Sequence, residues 1–338
     1  MVSSTVAAYA ADALLVAAPP LKIYTTVASL RSFRRPLFNV KSLAFVPTMG
    51  ALHAGHLSLI RSAAAENDSV AVSIFVNPAQ FSPTEDLAVY PRTLKSDLTA
   101  LELLNVELQQ SGARGRIEAL FLPSVTDMYP SGIPQVESQQ RGAFVTVQPL
   151  SSKLEGGSRP HFFRGVATVV AKLFNIVQPE TAYFGQKDVQ QTIVLNRMIK
   201  DLHFPITLKV CPTGRETDGL AMSSRNVYLG EKRRRIAPVL YKALRASEEE
   251  YARLKKQGEA LEARKIRNKG YEVLEAGGNG FSFELEYYSL ADPEELEELD
   301  VVDASKGGVL SAALRMLPSR PGEGVVRLID NIILAGDE

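Results

Sequence analysis

Residues 42–213 alternate short apolar runs with segments whose apolar residues recur at helical spacing. The run at residues 69–76 is rich in β-branched residues and is apolar on both faces. Strands of this kind, alternating with helices, are typical of a parallel sheet covered on both sides. Ligands bind such sheets beyond the carboxyl ends of the strands, so the residues after each strand are the first candidates for chemistry.

The pattern predicts seven strands and five helices in this first part of the chain. The predicted strands are residues 22–27, 42–47, 69–76, 119–123, 144–147, 181–184 and 206–210. The predicted helices are residues 29–33, 56–68, 94–105, 167–177 and 189–202. We therefore predict one parallel-sheet domain over residues 1–213.

The pattern changes after residue 213. Two charged helices are predicted at residues 232–256 and 259–276, followed by a glycine-rich break at residues 277–280. Three segments then alternate in polarity as in an antiparallel sheet, namely residues 281–290, 308–314 and 325–329. A chain of 338 residues is long for one core, so we predict a smaller α+β domain over residues 214–338.

The composition limits the partners and the compartment. Basic and acidic residues are equal at 38 each, which gives no overall attraction to nucleic acid or to an anionic membrane. No run of eighteen apolar residues occurs, and the single cysteine, Cys211, excludes an internal disulfide. We expect no nucleic-acid or membrane partner and a cytoplasmic location. Mitochondrial import, suggested by the arginines and serines of residues 29–35, is the minor alternative.

The loop after the second predicted strand carries the sequence Pro-Thr-Met-Gly-Ala-Leu-His-Ala-Gly-His at residues 47–56. A helix is expected to begin at or just after His56, and a helix N-terminus attracts phosphate through its free N–H groups and its dipole. Gly50 and Gly55 allow the backbone to approach a nucleotide, and His53 and His56 can hydrogen-bond phosphate oxygens. The alternative is a turn with incidental histidines, but two of only four histidines lie here.

The loop after the third predicted strand reads Phe-Val-Asn-Pro-Ala-Gln-Phe at residues 75–81. Asn77 and Gln80 are neutral polar residues beside aromatics, which suits recognition of hydroxyls and a carboxylate in an apolar pocket. An ordinary loop after a strand explains the same residues.

Residues 185–188, Gly-Gln-Lys-Asp, follow the strand predicted at residues 181–184. Lys187 can reach phosphates as a point charge, and Asp188 can accept hydrogen bonds from ribose hydroxyls. The alternative is a surface turn in which Asp188 caps the next helix.

Residues 218–225, Asp-Gly-Leu-Ala-Met-Ser-Ser-Arg, lie at the predicted domain junction. Ser223, Ser224 and Arg225 suit a phosphate clamp on a flexible loop, although a plain interdomain linker is the other interpretation. The sequence has no Walker-A loop, no Gly-x-Gly-x-x-Gly fingerprint after a strand, and no paired-cysteine or His-Glu-x-x-His zinc pattern. We therefore assign no residues to a resident metal.

Together these loops resemble the pantothenate synthetase (pantoate–β-alanine ligase) family. The resemblance covers residues 42–226 and returns at residues 327–331, Arg-Leu-Ile-Asp-Asn. The motifs at residues 47–56, 75–81, 90–94 and 218–226 carry it in combination. The wider superfamily of HxGH nucleotidyl-transferring enzymes shares only the first loop and a distant version of the last.

The resemblance implies a Rossmann-like, doubly wound parallel sheet of the HxGH nucleotidyl-transferase type with a smaller C-terminal α+β domain. It implies that ATP activates pantoate as an adenylate, that β-alanine then forms pantothenate, and that AMP and pyrophosphate leave. It also implies a homodimer and a need for Mg²⁺, which would be carried mainly by the phosphates of the substrate.

The same resemblance assigns roles to individual residues. The catalytic candidates are His53, His56, Lys187 and Arg225. The ATP-binding candidates are Met49, Gly50, Ala51, Leu52, His53, Ala54, Gly55, His56, Gly185, Gln186, Lys187, Asp188, Gly214, Met222, Ser223, Ser224 and Arg225. The substrate-binding candidates are Met49, Asn77, Gln80, Arg159 and Gln191.

Two short motifs depart from the bacterial pattern, and residues 105–118 and 316–324 are longer than in compact bacterial forms. Bacterial members have Gly-His-Phe where this chain has His161-Phe162-Phe163, so we assign no role to His161. Gln186 replaces a common glutamate. The Phe162-Phe163 pair and Gln186 resemble the residues of fungal members of the family.

Three other classes of protein remain open. Another HxGH-type adenylate-forming enzyme or nucleotidylyltransferase would use the His53/His56 loop, but a nucleotidylyltransferase would keep AMP on its product. A fragment of a class-I aminoacyl-tRNA synthetase should have a basic surface for tRNA, which the zero net charge disfavours. A non-enzymatic nucleotide-binding regulator would not convert the substrates to product, so one assay of steady-state turnover would distinguish it from an enzyme.

Overall fold

The computed structural model describes residues 21–83, 85–278 and 283–337. Residues 1–20, which belong to the domain predicted over residues 1–213, lie outside the described residues. So do residues 279–282, which hold part of the predicted break and the start of a predicted strand. By backbone contacts the chain divides into two compact units. The first unit comprises residues up to 147 with 159–185 and 194–211, and the second comprises residues 148–158, 186–193 and 212–338. The predicted boundary between folding domains at residues 213/214 stays a proposal.

The first unit is built on a six-stranded sheet in which every neighbouring pair is parallel. Its strands are β1 (Ile23–Tyr24), β2 (Leu43–Thr48), β3 (Ser69–Ile74), β4 (Arg116–Phe121), β5 (Thr181–Gly185) and β6 (Thr207–Cys211). Their spatial order is β1-β4-β3-β2-β5-β6. The predicted Rossmann-like parallel sheet is therefore confirmed.

Both faces of the central strand are covered. Leu43, Ala44, Phe45 and Val46 of β2 are all fully buried, although successive side chains of a strand point to opposite faces. The α-helices of the described chain up to residue 201 are α1 (Val27–Arg34), α2 (Ala54–Glu66), α3 (Leu94–Gln110), α4 (Phe162–Val177) and α5 (Val189–Asp201), with one-turn α-helices at Val125–Met128 and Glu155–Ser158. Burial on both faces explains why these strands read as continuous apolar runs.

The order of the strands places a switch point between β2 and β5. From β2 the chain moves outward through β3 to β4, and it then returns to β5 on the other side of β2. In open parallel sheets the crevice at such a point, beyond the carboxyl ends of the strands, is where ligands bind. The topology therefore favours the loops that follow Thr48 and Gly185.

The prediction of a strand at residues 144–147 is wrong. Residues 122–180, all of which the structure describes, contain no strand, and the backbone N–H of Val145 donates to the Thr168 hydroxyl on α4 at 2.9 Å. The alternation of valine and threonine favours extended backbone, but a side chain satisfies this N–H in place of a neighbouring strand.

From residue 212 onward, the described part of the second unit contains an antiparallel sheet and three α-helices. Its strands are β7 (Phe283–Ala291), β8 (Gly308–Met316) and β9 (Val326–Leu334), in that spatial order. Its helices are α6 (Gly230–Ile236), α7 (Val239–Gln257) and α8 (Ala263–Gly278). The predicted α+β character is confirmed, but the single helix predicted at residues 232–256 is two helices. Pro238 lies between them, and proline cannot donate the backbone hydrogen bond that a continuous helix needs.

The described part of the chain contains no helix that is both long and apolar enough to cross a membrane.

Candidate active site

The loop after β2 turns sharply before helix α2. The hydroxyl of Thr48 donates to the Ser73 carbonyl at 2.7 Å and accepts the N–H of Gly50 at 3.2 Å. Gly50 and Ala51 both have positive φ, at 81° and 51°. Glycine adopts this conformation freely, whereas an alanine there is strained and needs other contacts to hold it.

The Asp97 carboxylate on α3 holds that strained loop. Its two oxygens accept the backbone N–H groups of Ala51 at 3.0 Å and Leu52 at 2.8 Å. The Thr93 hydroxyl donates to the same carboxylate at 3.2 Å. Because Asp97 is only 3% exposed, these bonds lie in a low-dielectric setting and fix the backbone that leads into the histidines.

The two histidines cap helix α2 reciprocally. The N–H of Gly55 donates to His53 Nδ1 at 3.2 Å, and the N–H of His53 donates to His56 Nδ1 at 3.3 Å. Their rings lie 4.0 Å apart between centroids. The predicted helix start at or just after His56 is two residues late, because His53 is the capping residue and the helix begins at Ala54.

This capping arrangement determines where each neutral imidazole carries its hydrogen. An Nδ1 atom that accepts a backbone N–H is deprotonated, so the ring hydrogen of His53 and of His56 lies on Nε2. The N-terminus of α2 therefore combines a positive dipole end with two Nε2–H donors, a combination suited to an anion.

Asn77 is buried and fully hydrogen-bonded. Its Nδ2 group donates to Gln80 Oε1 at 3.0 Å and to the Gly165 carbonyl at 3.2 Å. Its Oδ1 atom accepts the N–H of Ala79 at 3.3 Å and the Tyr129 hydroxyl at 2.6 Å. Burial raises the pKa of Tyr129, which keeps its hydroxyl as a donor. The Asn77 amide thus has its four hydrogen-bonding positions occupied within the protein.

Gln80 is oriented by the groups around it. Asn77 holds its Oε1 atom, and its Nε2 group donates to the Met49 sulfur at 3.2 Å. The Arg159 guanidinium donates to the Gln80 carbonyl at 3.2 Å and forms a two-point ion pair with Glu85. In the first unit the structure therefore brings together the predicted residues Met49, Asn77, Gln80 and Arg159.

Arg159 also stacks on an aromatic ring. Its guanidinium lies 3.9 Å from the centroid of the Phe162 ring. His161, which lies between these two residues in the sequence, is half-buried, and its Nδ1 atom lies 2.6 Å from Glu137 Oε2.

In the second unit, Asn331 of β9 holds the turn that carries Lys187. Its Nδ2 group donates to the carbonyls of Gln186 at 2.8 Å and Lys187 at 2.9 Å. Gln186 Nε2 donates back to Asn331 Oδ1 at 3.2 Å. The Lys187 ammonium lies 3.4 Å from the Asp188 carboxylate, so the lysine and the acid form a local pair. The turn follows Gly185, the last residue of β5.

Two adjacent glutamines at the start of α5 have different surroundings. Gln190 is buried and donates to the carbonyls of Leu150 at 3.0 Å and Lys153 at 2.7 Å, which makes it a structural residue. Gln191, the predicted substrate contact, is half-buried.

Residues 214–222 form a hairpin. The N–H of Met222 donates to the Gly214 carbonyl at 2.9 Å, and Arg215 and Ala221 pair as an antiparallel bridge. Arg215 makes two hydrogen bonds to Asp330 of β9, at 2.6 and 3.0 Å. The predicted residues Gly214 and Met222 therefore close the two ends of one turn.

The predicted phosphate clamp follows this hairpin directly. Ser223 caps a short 3₁₀ helix, Ser224–Tyr228, and its hydroxyl accepts the N–H of Arg225 at 3.3 Å. Ser223, Ser224 and Arg225 are all half-buried. The clamp residues thus lie on an ordered turn rather than on a featureless linker.

Among the described residues no group of three or more histidine, cysteine, aspartate or glutamate side chains could hold a metal ion.

Comparison with known proteins shows the family. The family model described as pantoate-beta-alanine ligase matches residues 22–333. The chain belongs to the pantoate–β-alanine ligase family. A pantothenate synthetase from Roseiflexus sp. (strain RS-1) is 46% identical over 314 residues, covering 93% of this chain and 99% of the relative. A pantoate–β-alanine ligase from Saccharomyces cerevisiae is 44% identical over 321 residues, covering 93% and 100%.

Solved structures of pantoate–β-alanine ligases have the same fold. Pantothenate synthetase from Thermus thermophilus matches with a TM-score of 0.75 and 41% identity, covering 93% of this chain and all of that one. The ligase from Francisella tularensis, solved with β-γ ATP and β-alanine, matches with a TM-score of 0.67 and 32% identity, covering 93% and 97%.

The pantoate–β-alanine ligase sequence motifs did not reveal the residues that support the site. Asp97, Tyr129, Arg215, Asp330 and Asn331 hold the predicted residues in place, and none of them was selected from the sequence. Asp330 and Asn331 lie within the motif at residues 327–331, where two adjacent polar residues interrupt an apolar strand. That interruption is the feature of the sequence that could have indicated Asp330 and Asn331.

Proposed function

We propose that this chain joins pantoate to β-alanine by way of a pantoyl-adenylate, with ATP as the source of the AMP group. The observation that most supports this proposal is the reciprocal capping of α2 by His53 and His56, beside the switch point of the sheet. This arrangement offers an anion-binding helix end and two imidazole donors where a nucleotide's phosphates are expected to bind. Membership of the family supports the choice of substrates.

In the first half-reaction a pantoate carboxylate oxygen attacks the α-phosphorus of ATP, and the bond to the pyrophosphate oxygen breaks. Negative charge builds on the leaving pyrophosphate. The Nε2–H groups of His53 and His56 and the cations of Lys187 and Arg225 are positioned in our proposal to stabilise it. No protein nucleophile is required, because positioning and electrostatics lower the barrier. Mg²⁺ enters with ATP as part of the substrate and needs no carboxylate cage of its own.

The remaining predicted ATP contacts come from backbone and small side chains. Residues 49–56 approach the nucleotide through the glycine-containing turn that Asp97 holds, and the hairpin ending at Met222 leads into Ser223 and Ser224. Hydroxyls on a capped turn can donate to phosphate oxygens as charge develops. We assign Gly185, Gln186, Asp188 and Gly214 to the same nucleotide.

The second half-reaction uses the acyl-adenylate. The amine of β-alanine attacks the pantoyl carbonyl, the carbon–nitrogen bond forms, and AMP leaves with the phosphate oxygen that had been joined to the acyl group. We assign Met49, Gln80 and Gln191 to the pantoate and β-alanine contacts. Asn77, whose amide is fully hydrogen-bonded within the protein, and Arg159, which is paired with Glu85, contribute indirectly. Both make hydrogen bonds that orient Gln80.

Isotope exchange tests this proposal. The protein should exchange labelled pyrophosphate into ATP only when pantoate is present, and full turnover with β-alanine should release AMP. Release of ADP would exclude the adenylate route. A stable product that retains AMP would instead identify a nucleotidylyltransferase, and an absence of turnover would indicate a regulator.

Replacement of two of the proposed donors tests the residue assignments. His56→Ala and Lys187→Ala should each lower the exchange rate by about 10²-fold, as loss of one transition-state donor does. Lys200→Ala, an exposed lysine near the end of α5, is the matched control and should keep the wild-type rate. Exchange within about threefold of wild type in either test variant would remove that residue from its role.

Three finer assignments belong to the same proposal. We place the protein in the cytoplasm as a homodimer, which cell fractionation and light scattering would test. The Phe162-Phe163 pair and Gln186 support a fungal-type member. In that case Gln186→Glu, which adds a negative charge beside Lys187, should raise the KM for ATP, and an unchanged KM would count against the assignment.

A further inference from the structure

Two adjacent residues of β9, Asp330 and Asn331, are polar and buried. Only 4% of Asp330 and 1% of Asn331 is exposed. The side chains of neighbouring strand residues point to opposite faces of a sheet, so Asp330 and Asn331 present hydrogen-bonding groups on both faces. Burying two such groups is costly unless each is satisfied, and both are satisfied by segments outside the sheet.

Asn331 supports the Lys187 turn. Its single Nδ2 group bonds two successive carbonyls, those of Gln186 and Lys187, and its Oδ1 atom accepts from the Gln186 side chain. Three bonds from one rigid strand residue fix the direction of the backbone that carries the Lys187 ammonium.

Asp330 supports the hairpin of residues 214–222. Its carboxylate accepts two hydrogen bonds from Arg215 and also the backbone N–H of Asn331 at 2.8 Å. Arg215 in turn donates to the Gly219 carbonyl at 3.1 Å and stacks 3.8 Å from the centroid of the Tyr241 ring. One end of this hairpin leads directly into the Ser223–Arg225 segment.

We propose that Asp330 and Asn331 are a positioning pair that sets the Lys187 turn and the Ser223–Arg225 segment in one fixed arrangement for the adenylation step. We assign no substrate contact to the pair itself, which acts through Lys187 and Arg225. The proposal rests on the proposed function, because it assigns both segments to ATP. It predicts a defect confined to the half-reaction in which pyrophosphate leaves.

Asn331→Ala tests the pair, with Ser311→Ala as the matched control. Ser311 lies opposite Asn331 on β8 and is also buried, and its hydroxyl has no hydrogen-bond partner among the described residues. Asn331→Ala should lower pantoate-dependent pyrophosphate exchange by about 10²-fold, the cost of a misplaced catalytic group. Conversion of preformed pantoyl-adenylate and β-alanine to pantothenate should stay within about threefold of wild type. Ser311→Ala should keep both rates.

A double-mutant cycle separates positioning from simple loss of structure. If Asn331 acts through Lys187, then adding Asn331→Ala to Lys187→Ala should lower exchange by no more than about threefold, because the group being positioned is already gone. Multiplied losses in the double variant would overturn the proposal. So would equal falls in both half-reactions, accompanied by a lower unfolding temperature.

Arg215→Lys is a second variant that keeps the charge beside Asp330 but cannot make the two-point bond. It should reproduce the selective loss of exchange, and wild-type exchange in this variant would overturn the role of Asp330. The wild-type protein is assayed first. If it shows no pantoate-dependent exchange, the proposed function itself fails, whereas normal wild-type exchange with unaffected variants refutes only the positioning pair.

Discussion

Replacement of Asp97 by asparagine should strongly lower the activity, although Asp97 is not itself a predicted ligand contact. Asp97 has the buried carboxylate whose two oxygens accept the N–H groups of Ala51 and Leu52. Asparagine has nearly the same shape but offers only one carbonyl oxygen. Whichever way the amide lies, its NH₂ group must face one of these backbone N–H groups, so one bond is replaced by a contact between two donors.

The size of the effect follows from the bonds that are lost. A hydrogen bond to a charged group contributes about 1.5–3 kcal/mol, so Asp97→Asn should lower the free energy of unfolding by about 2–3 kcal/mol. Ala51 is held at a φ of 51°, a left-handed conformation that costs an alanine about 1–2 kcal/mol. When its restraint weakens, this loop should therefore relax before the rest of the fold. A displacement of about 1 Å at His53 and His56 would cost roughly 10²-fold in rate.

Two measurements test this reasoning. Pyrophosphate exchange should fall by about 10²-fold in Asp97→Asn, and urea unfolding should show the loss of stability. Thr93→Val removes only the hydroxyl that donates to the Asp97 carboxylate, so by the same rule it should cost about 1.5–3 kcal/mol. It leaves the bonds from Asp97 to Ala51 and Leu52 in place, so most of the exchange activity should remain. Adding Ala51→Gly to Asp97→Asn should recover part of the exchange, because glycine adopts positive φ without strain.

The reasoning would be refuted if Asp97→Asn lost stability but kept its exchange rate, since the carboxylate would then be unimportant for the geometry of the histidines. Failure of Ala51→Gly to recover any activity would show that strain at Ala51 is not what displaces the loop.

Two further predictions concern other buried positions. Gly165→Ala would place a Cβ atom 2.2 Å from the Ala79 carbonyl oxygen, and the forced shift should cost about 3 kcal/mol and raise the KM for pantoate. Gly324→Ala has nothing within 4 Å of the new Cβ and should unfold like wild type, so equal losses in both variants would contradict the steric argument. Burial raises the pKa of the Cys211 thiol, and only the thiolate is nucleophilic, so iodoacetamide should label the native protein far more slowly at about pH 8 than the urea-unfolded chain. Labelling at similar rates, measured by mass spectrometry, would mean that the thiol is accessible.

The sequence predicted the parallel sheet because its central strands are apolar on both faces, a pattern that few other architectures need. It failed at residues 144–147, where β-branched side chains favour extended backbone but Val145 bonds to Thr168 instead of a neighbouring strand. It also missed the interruption at Pro238, because the apolar spacing is helical on both sides of that residue.

The candidate site was predictable where residues follow a strand and much less so where they support it. Lys187 could be selected because it comes directly after a predicted strand. Asp97 lies inside a regular helix, and nothing in its local pattern shows that its carboxylate meets a loop 45 residues earlier. The supporting residues act across the fold, so their partners emerge only when the tertiary structure is known.

The buried polar residues that hold the candidate loops have a different role from the groups that attract the nucleotide. A nucleotide can be attracted by any free helix end or lysine, because electrostatic attraction falls off gradually with distance. Adenylation also requires those charges to contact the leaving pyrophosphate in one geometry. That requirement explains why buried polar side chains hydrogen-bond to the candidate loops and hold them in place. Asp97 holds the loop before α2, Asn77 holds Gln80, and Asn331 holds the Lys187 turn. Asp97 and Asn331 reach these loops from a helix and a strand of the same unit, whereas Asn77 lies in the same loop as Gln80 and holds it locally. Substitution of these residues should therefore lower the rate of adenylation more than it weakens the binding of ATP.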